Sequence, residues 1–158
     1  MLKKVLKATT ILSILFSLYS CNDGSEDIVI DEQTILEKNK EVVTSFYQEF
    51  FGDLNFESAN KYIGDVYIQH NPALADGKEA LIEAAKIWFN DAPQKQININ
   101  LVIAEGDLVF VQIIDEKNGN RFSTMDVFRV TDGKISEHWD AFATFKKGDI
   151  SQNDHPLF

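Results

Sequence analysis

The sequence predicts an α+β fold, and two observations carry that reading. Apolar residues recur at helical spacing through the first half of the body of the chain, then alternate with a period of two through the second half. Turn signals such as Asn118-Gly119 and Asp132-Gly133 punctuate the second half, as in a meander of antiparallel strands. Helices first and strands last are the order of an α+β fold, not of an α/β fold.

The elements follow in order. Ile35, Leu36, Val42, Val43, Phe46, Tyr47, Phe50 and Phe51 form one broad apolar helical face, which Gly52-Asp53 ends. A short second helix carries Phe56, Ala59, Tyr62 and Ile63. Val66 to Gln69 reads as a short strand, broken by Asn71-Pro72, with a loop running to Gly77. Lys78 to Phe89 is a third helix that buries Leu81, Ile82, Ala85, Trp88 and Phe89; Pro93 prevents its continuation. Ile97, Ile99, Leu101 and Ile103 then alternate as a strand, and Glu105-Gly106-Asp107 turns the chain. Leu108 to Ile114 is an almost continuous apolar run, as in a central strand. Two more strands, Phe122 to Val130 and Ile135 to Phe145, complete a bent antiparallel sheet expected to wrap around three helices and leave a conical cavity.

The chain has 158 residues, is 44% apolar and carries a net charge of −10. That is enough for one domain with a core. The acidic surface repels phosphate backbones, which argues against nucleic-acid binding. One cysteine forms no internal disulfide, and no Cys/His spacing suggests a structural zinc.

Residues 1–20 read as a targeting segment. Lys3, Lys4 and Lys7 precede an apolar run from Ala8 to Tyr19 that is too short to span a bilayer. Leu18-Tyr19-Ser20-Cys21 resembles a bacterial lipobox, with Cys21 as the lipidated residue. Residues 21–32 are then an acidic tether, 33–145 the folded domain and 146–158 a polar tail. A lipid anchor would supply the membrane attachment that charge does not, and would place the protein in a bacterial cell envelope.

Alternation also selects candidate site residues. Phe122, Thr124, Asp126, Phe128 and Val130 share one side of their strand, so Asp126 sits on a largely apolar face. A carboxylate there is costly unless paired or protonated, and burial raises its pKa toward that of a usable acid or base. On the last strand His138 and Asp140 project together, and Asp140 is placed to orient His138 as a proton carrier. His70 ends a strand beside a loop, where an imidazole can reach a cavity. Phe128, Phe142, Trp88, Tyr67 and Asn71 are candidate ligand contacts; Phe46 and Tyr47 read as core or cavity wall. Two His and two Asp could also be metal ligands, but no HxxE or HExxH spacing supports that reading.

The runs "YIQHNPALADGKEAL" (Tyr67 to Leu81) and "STMDVFRVTDGKISEHWDAF" (Ser123 to Phe142) resemble SnoaL-like proteins of the nuclear transport factor 2-like superfamily. The resemblance implies a cone-shaped α+β barrel with one pocket and chemistry without cofactor or metal: proton abstraction beside a carbonyl, with an enolate held in an apolar pocket. The family's acid/base aspartate matches Asp126, its "HNP" histidine matches His70, and its "EHWD" pair matches His138 and Asp140. Steroid isomerases of the superfamily share the Asp126 strand, but their helix-1 tyrosine matches Phe46 here and their base aspartate matches Asn71. The partner implied is a small apolar or aromatic carbonyl compound. The outer sheet face carrying Val127, Arg129 and Trp139 is implied to form a homodimer. A non-catalytic binding protein using the same pocket is the alternative.

Overall fold

A computed structural model describes residues 31–155. The expected signal segment, the expected lipidation site Cys21 and most of the expected tether lie outside the described residues. Among the described residues no helix is long and apolar enough to cross a membrane.

Helix α1 (Glu32–Phe46) starts at Asp31, whose side chain accepts the Thr34 N–H at 2.8 Å. This N-cap satisfies a donor that the first helical turn leaves open. The last two residues read as tether therefore belong to the helix start. The helix continues without a break into a π-helical turn (Tyr47–Gly52), where the Asp53 N–H reaches back five residues to the Gln48 carbonyl. A 3₁₀ turn (Phe56–Ser58) leads into α2 (Ala59–Tyr62). Strand β1 (Ile63–Gln69), helix α3 (Lys78–Trp88) and strands β2 (Ile99–Glu105), β3 (Leu108–Lys117), β4 (Asn120–Thr131) and β5 (Lys134–Phe145) follow.

The five strands form one sheet in the order β1-β5-β4-β3-β2. Strands β2 to β5 are the antiparallel meander expected from the turn signals. Asn118-Gly119 and Asp132-Gly133 make two of its three tight turns, with positive φ at all four positions, the geometry that matches strand twist. The sheet is nevertheless mixed, not antiparallel throughout, because β1 pairs parallel to β5. A parallel partner needs a long crossover; here the chain between β1 and β5 supplies it. The free edge of β1 is covered by its own loop. Asp76 Oδ1 accepts the Gln69 N–H at 2.8 Å, and the Gly77 N–H bonds the Tyr67 carbonyl at 2.9 Å. Covering the edge in this way blocks pairing with another chain.

The core lies between α1 and the concave face of the sheet. Val43, Phe46 and Phe50 from the helix meet Val109, Val111, Phe128 and Ile135 from the strands, all buried. Phe46 packs edge-on against Phe51, Tyr62 and Phe128. The cavity adjoins this layer and is lined by residues of both the helices and the sheet.

Candidate active site

Each side of the cavity contributes residues through a simple period. On β4, Thr124, Asp126 and Phe128 face inward; on β5, His138, Asp140 and Phe142 do so. Asp126 and Asp140 are cross-strand partners, and His138 is the partner of Phe128. On β1, Tyr67 and Gln69 face inward and Asn71 follows them; Tyr47 arrives from the π turn. The cavity holds about 490 Å³, within the usual range for small-molecule sites. Its walls include Phe46, Phe51, Leu81 and Ile113, and Trp88 and Phe142 stand at a more exposed position.

Asp126 is the centre of the polar group, with 3% of its surface exposed. The Tyr47 hydroxyl donates to its Oδ2 at 2.6 Å, and His138 Nε2 lies 2.9 Å from its Oδ1. Burial pushes its carboxyl pKa above the ordinary range, and the hydrogen bonds from His138 and Tyr47 only partly offset this. Burial, reinforced by the neighbouring carboxylate, also pushes the Tyr47 hydroxyl pKa well up, so it stays a proton donor. The His138 ring stacks on Phe128 with centroids 4.7 Å apart, and its Nδ1 lies 2.9 Å from Gln69 Oε1. Gln69 is thus the residue that holds the far side of the imidazole.

Two of the expected arrangements change. Asp140 does not orient His138; its Oδ2 accepts instead from the Asn71 side-chain amide at 2.7 Å. Asn71 is itself fixed in a turn, its Oδ1 accepting the Ala73 N–H at 2.9 Å. His70 lies apart from the cavity. Its Nε2 lies 2.8 Å from Glu137 Oε1, and its ring stacks on Trp139 with centroids 4.6 Å apart. The reason is the strand period: Tyr67 and Gln69 point inward, so Ile68 and His70 point outward. His70 therefore joins an outer network with Glu137, Arg129 and Asp107.

Two contributors were missed. By sequence Tyr47 reads as core or wall and the helix-tyrosine position as Phe46, yet the hydroxyl that reaches Asp126 is one residue later. Phe46 and Tyr47 are adjacent on an apolar face, and the π turn that begins at Tyr47 alters the helical register there. Such turns often sit at functional sites. Gln69 was readable from the alternation Tyr67, Gln69, but an uncharged amide gave no reason to single it out.

One group of described residues brings potential metal donors together: Asp126, His138 and Asp140, with donor atoms within 4.8 Å of one another. Both oxygens of Asp126 and both nitrogens of His138 already have partners inside the protein. A cation there would have to separate His138 from Asp126. The geometry suits proton exchange better: a buried acid, an imidazole in contact with it and a phenol donor, all facing an apolar cavity.

The fold recurs among solved structures. TsrD from Streptomyces laurentii is similar at 17% identity and a TM-score of 0.56, over 67% of this chain and 88% of that one. An LEH-like epoxide hydrolase from M. tuberculosis is similar at 18% identity and 0.54, over 69% and 85%. An NTF-2 like protein from Burkholderia xenovorans is similar at 16% identity and 0.53, over 68% and 84%. No curated protein matches the chain significantly. The model of the SnoaL-like polyketide cyclase family matches residues 41–145, more than half of the chain and all of the cavity-bearing body. With this match, and with the element order and pocket the resemblance implied, the chain belongs to the SnoaL-like family and has the nuclear transport factor 2-like fold.

Proposed function

We propose that the protein is a cofactor-independent acid/base enzyme acting on a small carbonyl compound, by aldol-type cyclisation, cleavage or isomerisation. One observation carries this reading: a carboxyl group sequestered in an apolar cavity, bonded to a phenol and an imidazole. In its ionised form Asp126 takes a proton from the carbon beside the carbonyl. In its protonated form it returns that proton. His138 and Tyr47 supply the hydrogen bonds that follow the charge during the exchange. The apolar walls keep water away from the enolate and favour a ring-sized ligand, with Phe128, Trp88 and Phe142 as the flat contacts and Tyr67 and Asn71 nearer the polar end.

The test is deuterium uptake into cyclic and aromatic ketones in heavy water, followed by NMR. The native protein should exchange the protons beside the carbonyl of at least one class. Asp126→Asn should slow that exchange by roughly 10²–10⁴-fold. If ligands bind in the cavity but none exchanges deuterium, the second reading holds: a pocket that captures an apolar compound without transforming it. Each oxygen of Asp126 and each nitrogen of His138 has a partner inside the protein, which favours that alternative because a binder needs no free reactive group.

Two further properties belong to the same proposal. Cys21 carries a lipid that anchors the domain in a bacterial cell envelope. Labelled palmitate should enter the native chain and not Cys21→Ser. The outer face of the sheet pairs with a second copy through the row of Ile103, Phe110, Val127 and Trp139.

A further inference from the structure

Gln69 takes no part in the proton exchange proposed above, yet its contacts bear on a chemical question. The Asn71 backbone N–H is a donor and nothing else, and it lies 2.9 Å from Gln69 Oε1. That bond fixes which end of the amide is oxygen. The amide nitrogen then faces the Tyr67 hydroxyl at 3.3 Å, which can accept. His138 Nδ1 lies 2.9 Å from the same Oε1. An amide oxygen only accepts, so Nδ1 must carry a hydrogen.

The consequence reaches Asp126. A neutral imidazole protonated on Nδ1 has a bare Nε2. Nε2 lies 2.9 Å from Asp126 Oδ1, too close for two acceptors with nothing between them. We propose that Gln69 is a positioning residue that holds the proton of His138 on Nδ1, so that Nε2 and the Asp126 carboxyl share one further proton. The backbone enforces this arrangement. Gln69 and His138 are register partners across the parallel β1–β5 pair, and Phe128 stacks on the ring and limits its rotation. Without Gln69 the imidazole is free to carry its hydrogen on Nε2 and donate to an ionised Asp126. In that arrangement Asp126 is a carboxylate beside a neutral imidazole and holds no acidic proton to pass to a ligand. The catalytic part of this inference rests on the acid/base reading; the position of the proton does not.

The test uses the full chain labelled with ¹⁵N-histidine. Long-range ¹H–¹⁵N correlation at neutral pH reports which ring nitrogen is protonated. His70→Gln and His155→Gln, neither of which is in the cavity, assign the signals. His138 should show a protonated Nδ1. A bare Nδ1 with the hydrogen on Nε2 would overturn the proposal outright, with or without any known substrate. Gln69→Leu should move the hydrogen toward Nε2, and Gln69→Glu, which keeps an oxygen at the same reach, should restore Nδ1–H. In the deuterium-exchange assay Gln69→Leu should lower kcat roughly 10- to 100-fold with little change in KM, and Gln69→Glu should recover most of it. An Nδ1–H signal in a protein that exchanges no ketone would retire the enzymatic reading and leave the role of Gln69 standing. A tautomer unmoved by Gln69→Leu would remove Gln69 from that role.

Discussion

Asp126 is held in the fold most easily when it is protonated. Its folded-state pKa lies above the ordinary value of 3.8, chiefly through burial. The native state therefore keeps this proton over a range in which the unfolded chain has released it. The stability this confers is complete below that ordinary value and is lost as pH rises through the folded-state value. Asp126→Asn cannot ionise, and its amide can donate to a bare His138 Nε2 while its oxygen accepts from Tyr47. Its melting temperature should equal or exceed that of the native protein, with the gap widening in its favour as pH rises from about 4. Thermal melts across pH check this; a variant that melts far lower at every pH would mean the carboxylate is structural. Tyr47→Phe removes a hydrogen bond from a buried carboxyl group and should cost about 1–3 kcal/mol. It should also push the pKa of Asp126 further up, since that bond favours the ionised form. Urea unfolding and the pH profile of deuterium exchange measure the two effects separately. At this scale the sequence made Asp126 and His138 legible, because a charged or titratable side chain on an apolar strand face is conspicuous. It did not make Tyr47 legible, because a tyrosine among phenylalanines on a helix face looks like core.

The turn that follows α1 decides where Tyr47 and the cavity rim sit. A Cβ on Gly52 would lie 2.7 Å from the Lys95 carbonyl oxygen and 2.5 Å from Gln48 Nε2. The same contact is closed by a hydrogen bond from the Lys95 N–H to the Gly52 carbonyl at 2.9 Å. Gly52→Ala must push these backbones apart and should destabilise the fold by about 1–3 kcal/mol. It should also weaken ligand retention, since Lys95 lines the cavity; a denaturant midpoint unchanged from the native protein would refute the close-packing account. Element types and their order followed from periodicity, and the strand boundaries moved by only a few residues. The parallel pairing of β1 did not follow, because the pattern of one short strand does not say which of the other four it will lie beside. That pairing matters for the site: it brings Gln69 to His138 and turns His70 outward.

Across the whole molecule the outer side of the sheet carries an apolar row beside the charged network of His70, Glu137, Arg129 and Asp107. Ile103, Phe110, Val127 and Trp139 are register partners in one row that crosses four strands. Gln112, Met125 and Ala141 form the next row, with Leu101 as the partner of Gln112 on β2. Val66 and Ile68 extend the surface on β1. A row of this kind is self-complementary about a two-fold axis, which is the commonest way for such a face to be covered by a second copy. Ile103 is 52% exposed, so Ile103→Glu should leave the fold of one chain intact. Sedimentation should show a dimer for the native protein and a single chain for the variant. A native protein that sediments as one chain would refute the pairing.

Local pattern is enough for the fold class and for the strand faces: Asp126 with Thr124 and Phe128 on one, His138 with Asp140 on another. Those properties depend on periods of 3.6 and 2, which a linear sequence displays. Strand pairing and helix pitch set which groups bond across the cavity: Tyr47 to Asp126, Gln69 to His138, and Asn71 to Asp140. Those contacts join residues far apart in the chain. Their geometry depends on strand pairing, on a change of helical pitch and on the direction of a single amide, none of which leaves a mark in residue spacing.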